Sequence, residues 1–349
     1  MAYTDIDKPT DYFETELYSG SSSDVTMNAL DFQPDWVWLK KISSSGDNLT
    51  YDSVRGTNKR LTINGTDEEV DRSSNNDELK SFNSDGWTLG TYNSNVTGAG
   101  SNCVSFNWKA GGSASSNSDG SAASSVSANT TAGFSIVSYT GNETAKTIGH
   151  GLGAIPQIVV TKNRSTAGQW AMYNRNLGAN KNLHLEVTDA AASSSAVFND
   201  TESTSSVFSV GSAVMVNDNG SNFIAYCFAE KQGFSKFGSY IGNGNADGPF
   251  VYTGFKPAWV MFKPAGESAD CNWLLLDSVR DDVNAVGKNL YANVNDAETS
   301  TDRCDFVSNG FKLRQSGTTV NTSSGTYIYM AFAEAPFVTA GTKAAGTAR

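Results

Sequence analysis

Three stretches decide the fold: LDFQPDWVWLKK at 30–41, LGAIPQIVVTKN at 152–163 and TGFKPAWVMFKP at 253–264. Pro34, Pro156 and Pro257 align, and a lysine stands six residues beyond each: Lys40, Lys162 and Lys263. Around the prolines the residues alternate apolar and polar or run apolar, both of them strand patterns. Proline has no N–H, so each should sit at the first residue of its strand or on a sheet edge. Trp36 and Trp38 share one face of their strand and Val37 and Leu39 the other, which predicts burial on both sides. Trp259 aligns with Trp36 and should face the same way.

Each stretch is preceded by a Tyr-x-Gly: Tyr18-Ser-Gly20, Tyr139-Thr-Gly141 and Tyr240-Ile-Gly242. Each is followed, far downstream, by an aromatic strand: NCVSFNWKA at 102–110, NFIAYCFAE at 222–230 and TYIYMAFAE at 326–334. The distance from Pro34 to Trp108 is 74 residues, from Pro156 to Phe228 72, and from Pro257 to Phe332 75. A spacing held so closely three times marks an internal repeat. Between these landmarks LTYDSVR (49–55) matches LLLDSVR (274–280), and FNSDGWTLG (82–90) matches FVSNGFKLR (306–314). The middle copy diverges here, with WAMYNRN (170–176) and FSVG (208–211). Asp85-Gly86 and Asn309-Gly310 are hairpin dipeptides, and Asn219-Gly220 and Ser324-Gly325 mark turns before the closing strands.

The expectation is an all-β fold of three tandem β-sandwich or jelly-roll-like modules of about 100 residues each. An N-terminal docking arm (1–11) precedes module 1 (12–110). A Gly/Ser-rich linker (111–132) with little to bury leads to module 2 (133–231). Module 3 (232–337) follows through the short KQGFSK connector, so modules 2 and 3 should pack closely. A flexible tail (338–349) ends the chain. Both ends carry few apolar residues and should order only against something else.

Composition agrees with this reading. Of 349 residues, 17% are charged and 11% aromatic, with 33 glycines, which argues against helical bundles and α/β enzymes. The net charge of −11 would repel a nucleic-acid backbone. No run of 18 apolar residues predicts a membrane span. The opening MAYTDIDKPT lacks the basic and apolar regions of a secretory signal. Cys103, Cys227, Cys271 and Cys304 show no C-x-x-C spacing and are expected as free thiols of a chain folded in a reducing cytoplasm.

A search for chemistry yields structural readings. His150 in GHGLG should hold a loop carbonyl, and His184 in NLHLEV should point to the polar face of a strand. Two histidines without a third ligand do not make a zinc site. The repeated D-S-V-R pairs Asp52 with Arg55 and Asp277 with Arg280, read as a pin for a loop or strand end; the alternative is an acid in a sugar cleft. The middle copy has Asn174 at that place. The acidic turns at 66–71, 217–221 and 281–282 do not follow the calcium-loop pattern. Trp36, Trp38, Trp87, Trp108, Trp170, Trp259 and Trp273 are expected in the core rather than stacked on sugars. No catalytic, cofactor or metal residue is assigned.

Y-x-G…G-F-x-P-x-W-V, then D-S-V-R, then F-x-S-[DN]-G-[FW]-x-L and an aromatic strand together resemble a repeat in virion proteins of marine tailed bacteriophages. SFNSDGWTLG, FNWKAGG, YCFAEKQGFSKFGSYIGNGNADGPFVYTGF and YIYMAFAEAPF carry the resemblance over about residues 12–112 and 133–337. It implies a β-rich, non-enzymatic virion part, tail-fibre-like or for host attachment, assembled in the host bacterial cytoplasm. The alternatives are a capsid decoration protein and, of another class, a polysaccharide-binding or depolymerising enzyme. The expected partners are other virion proteins, a host surface glycan or receptor and further copies of the chain, through the loops 19–29, 142–151 and 242–249.

Overall fold

The structure is a computed structural model and describes residues 3–266 and 271–339. It is all-β, with three principal antiparallel sheets. In each, a closing strand lies between an opening strand and a strand that follows the aligned proline.

In the first set, Asn102–Trp108 pairs with Phe13–Ser19 on one side and Trp36–Lys41 on the other. In the middle set, Asn222–Phe228 lies between Phe134–Thr140 and Ile158–Asn163. In the last set, Thr326–Pro336 lies between Ser235–Ile241 and Phe255–Pro264. The proline strand then pairs with Asn48–Asp52, Ala171–Asn174 and Leu274–Asp277 respectively. Pro34 and Pro156 precede their strands, whereas Pro257 lies inside its strand at register shifts on either side, where the irregular ladder tolerates a missing N–H.

A smaller layer backs each principal sheet. It comprises Val25–Met27, Gly86–Leu89 and Leu79–Asn83 in the first set, and Lys146–Gly149 with Val207–Val210 in the middle one. In the last set it is Phe250–Tyr252, Gly310–Leu313 and Thr299–Val307. The loops expected at 19–29, 142–151 and 242–249 therefore contain or lead into strands of this layer. Between the layers lie three separate apolar clusters, one per set.

The Tyr-x-Gly motif closes this sandwich. A Cβ on Gly20, Gly141 or Gly242 would lie 2.3, 2.0 or 2.2 Å from the carbonyl oxygen of Gly98, Asp218 or Thr322. Only glycine permits that approach. Tyr139 and Tyr240 donate to the carbonyls of Val216 and Val320, each at 2.7 Å.

A fourth apolar cluster is shared by all three sets. The faces of the principal sheets away from their own small layers meet there. Trp36 stacks on Tyr226 at 4.4 Å, Phe13 on Phe332 at 4.8 Å, and Phe228 meets Phe237 at 5.9 Å. Trp36, Val37, Trp38 and Leu39 are all buried, as their alternation predicts, with the tryptophans in the shared cluster and Val37 and Leu39 in the first set's own.

Two segments behave differently from their composition. The stretch 111–132 forms a hairpin of Ser115–Asn117 and Ser124–Asn129, and the latter pairs with the opening strand of the middle set. Its serines satisfy a sheet edge as well as a linker, and Val126 is buried. The arm at 3–11 orders against its own chain. Tyr3 donates to the Gly254 carbonyl at 2.6 Å, Thr4 to that of Gln232 at 2.7 Å, and Ile6 enters the shared cluster. Of the tail expected at 338–349, residues 340–349 lie outside the described residues.

Candidate functional site

The D-S-V-R residues occupy equivalent places. Asp52 stands opposite Trp36 and Asp277 opposite Trp259 in their sheets. Asp52 accepts the Arg55 backbone N–H at 2.8 Å and the Arg55 Nε, and Asp277 accepts the same groups of Arg280 at 2.8 and 2.5 Å. Each guanidinium also donates to two carbonyls, Lys59 and Thr50 or Lys288 and Leu275, and to a further carboxylate, Glu69 or Glu298. All four pin side chains are buried. Asp52 additionally accepts the hydroxyl of Tyr226 from the middle set at 2.8 Å. Asp52 and Asp277 are thus enclosed by partners of the fold and fasten the ends of their strands as buried ion pairs.

The three aligned lysines tie the sets together. Lys40 donates to the carbonyls of Gly46 at 2.7 Å and Val294 at 3.0 Å. Lys162 donates to those of Gly168 at 2.5 Å and Thr66 at 2.8 Å. Lys263 donates to those of Cys271 at 2.5 Å and of Thr188. Each therefore holds one carbonyl of its own set and one of a neighbour: first to last, middle to first, last to middle. Beside them Trp170 donates to the Thr62 carbonyl at 2.9 Å, Trp273 to that of His184 at 3.0 Å and Asn48 to that of Tyr291 at 3.1 Å. The direction of travel is the same, so the seams close into a ring. Burial lowers Lys40 and Lys162 to about 8, against the pull of Asp47 and Asp296 or of Glu186 and Asp67. The six-residue offset from proline to lysine is visible in the sequence, but the carbonyl that each lysine reaches is not.

The remaining candidates are also engaged in the fold. His150 is buried, with Nε2 3.1 Å from the Thr204 carbonyl oxygen and Nδ1 accepting from the Leu152 N–H. His184 is half-buried between the polar side chains of Gln169 and Asn182, on the polar face that its alternation with leucines predicts, and burial lowers its pKa. Trp36 is 5% exposed and the other six tryptophans 2% or less. The four cysteines are free, and burial pushes the thiol of Cys103 up to about 11 and that of Cys227 higher still. Among the described residues, no group of three His, Cys, Asp or Glu side chains could hold a metal ion, and no helix is long and apolar enough to cross a membrane.

Open concave surface lies at the end where the opening strands begin. One groove of about 360 Å³ runs between the arm (Tyr3, Thr4, Asp5) and Thr131, Lys231 and Gln232. A second, of about 470 Å³, is lined by Gln33, Asp35, Lys109 and Asn129. They share Thr130. Asp35 lies 2% exposed under the second groove. Burial raises its pKa, while Ser53 and the N–H groups of Ala110 and Gly112 oppose the shift. Both grooves mix polar and apolar surface and offer hydrogen-bonding side chains.

With this geometry in view, the chain can be placed. It belongs to the DUF7483 family, described as a domain of unknown function. The family model matches residues 8–336, so it covers all three sheets and the Gly/Ser-rich hairpin as one unit. No curated protein matches the chain.

Proposed function

We propose that the chain is a non-enzymatic bacteriophage virion structural protein, a tail-fibre-like or host-attachment component built from three copies of one β unit. The observation that carries this reading is the use of the conspicuous polar residues inside the fold: both Asp–Arg pins hold strand ends, and all three aligned lysines hold neighbouring sets. Such a chain is a rigid part that acts through its surface, as the repeat's resemblance to phage virion proteins implies. Attachment would then come from several weak contacts multiplied by copy number.

The test is to purify phage particles whose genome encodes this chain and to locate it by peptide mass spectrometry and immunogold labelling. The reading expects the chain in the particle, at the tail and in a few to tens of copies. Label over the head in hundreds of copies would make it a decoration protein. Absence from particles would overturn the reading. Release of reducing ends from host polysaccharide by the pure protein would overturn its non-enzymatic part.

A further inference from the structure

In the small layer of the last set, Phe250 and Tyr252 are 47% and 54% exposed, whereas Val251 between them is buried in that set's own cluster. Both rings thus project from one face of one strand, about 7 Å apart along it. Phe250 lies across Gly310, its Cε2 3.0 Å from the point where a Cβ would stand. The edge of the ring therefore touches the sheet over Gly310, while much of the side chain stays open to solvent. The Tyr252 hydroxyl lies 3.3 Å from that of Tyr3, which the arm fixes onto Gly254. Two ion pairs border the rings, Lys312–Asp247 at 2.7 Å and Arg314–Asp305 at 2.5 Å, so the local charge is balanced.

The other two sets supply the control. Phe250 pairs with Lys312; at the same place Thr26 pairs with Thr88 and Thr147 with Ser209. The sandwich therefore forms with small polar residues here, and the aromatic pair is not a requirement of the fold. Exposed rings with a polar rim mark a recognition surface.

We propose that this face binds the pyranose rings of a neutral glycan. The C–H faces of a sugar would stack on Phe250 and Tyr252. Its hydroxyls would meet the two tyrosine hydroxyls and the rim of paired charges, which can donate and accept at once. The balanced rim on a chain of net charge −11 gives a polyanion no net attraction. The inference adds a ligand class to the attachment role and rests on it, but binding is measured on the pure chain, independently of its place in a particle.

The experiment is affinity electrophoresis of the full chain through gels containing dextran, mannan, laminarin or galactomannan, with heparin as the polyanion. At least one neutral polymer should retard the protein, and heparin should not. Phe250→Ala with Tyr252→Ala should weaken retardation at least tenfold, while Val214→Ala, an exposed apolar change elsewhere, should leave it unchanged. Circular dichroism would show that both variants fold. No retardation by any neutral polymer, retardation that survives the double substitution, or retardation by heparin alone would overturn the proposal. So would a concentration-dependent dimer in sedimentation that the double variant abolishes, since the face would then serve a second copy.

Discussion

The first and middle strand sets differ most at one place. Opposite the second residue after the aligned proline, the first set has Asp52 and the middle set Asn174. Asp52 is locked by Arg55 and by Tyr226 across the seam. Asn174 accepts from the Asn176 N–H at 2.9 Å, its buried Nδ2 has no partner, and the following Arg175 reaches out to Glu202 instead. Both sheets nevertheless have the same pairing order. The ion pair is thus a reinforcement and not a condition of the strand arrangement. Where it exists, though, its charges are committed, because removing either member leaves the other a buried ion short of its main partner.

That contrast can be broken most forcefully at the pin. Asp52→Ala should destabilise the chain by about 3–5 kcal/mol in guanidinium unfolding, because Arg55 stays buried and charged. A cost below about 1 kcal/mol would mean that the pin is solvated. Removing residues 1–7 should cost about 1.5–3 kcal/mol, the worth of burying a side chain such as Ile6. An unchanged midpoint would return the arm to the free docking segment that its composition suggests. Tyr226→Phe, which deletes only the O–H donated to Asp52, should cost about 1.5 kcal/mol.

The lysine seams predict a pH effect. Lys40 and Lys162 are lowered by burial to about 8 from their ordinary 10.5. Between these values the unfolded chain holds protons that the folded chain has released, so their contribution to stability rises with pH. Buried cysteines and tyrosines act oppositely, so the quantity to follow is the stability of the wild type minus that of Lys40→Met/Lys162→Met. It should rise from pH 8 to pH 10; a fall would show that the lysines stay charged. The smallest effect is expected at Asn174→Ala, within about 1 kcal/mol, since one polar group there already lacks a partner.

Much of this was legible in the sequence. Prolines, Tyr-x-Gly motifs and closing aromatics are local requirements of strand ends and close approaches, so they recur at fixed spacing. The D-S-V-R pin was readable because both partners lie three residues apart. The seams were not, because Lys40 and Val294 are brought together only by tertiary packing. The 111–132 stretch misled because serine-rich composition describes a solvated linker and a polar edge strand equally well. His184 was legible as a polar-face residue from its alternation with leucines, but its hydrogen-bond partners Gln169 and Asn182 were not. The groove beside Tyr3 joins the arm to two distant turns and left no local trace.

The account turns on the shared apolar cluster, which makes three strand sets one cooperative body. Guanidinium unfolding of wild type and Asp277→Ala, followed by both tryptophan fluorescence and far-UV circular dichroism, tests this directly. A shared core predicts one transition, coincident in both probes, that moves as a whole when only the last set is weakened. Two separated transitions, with only the last set's share of the signal shifted, would show that the last set unfolds independently of the others and contradict it.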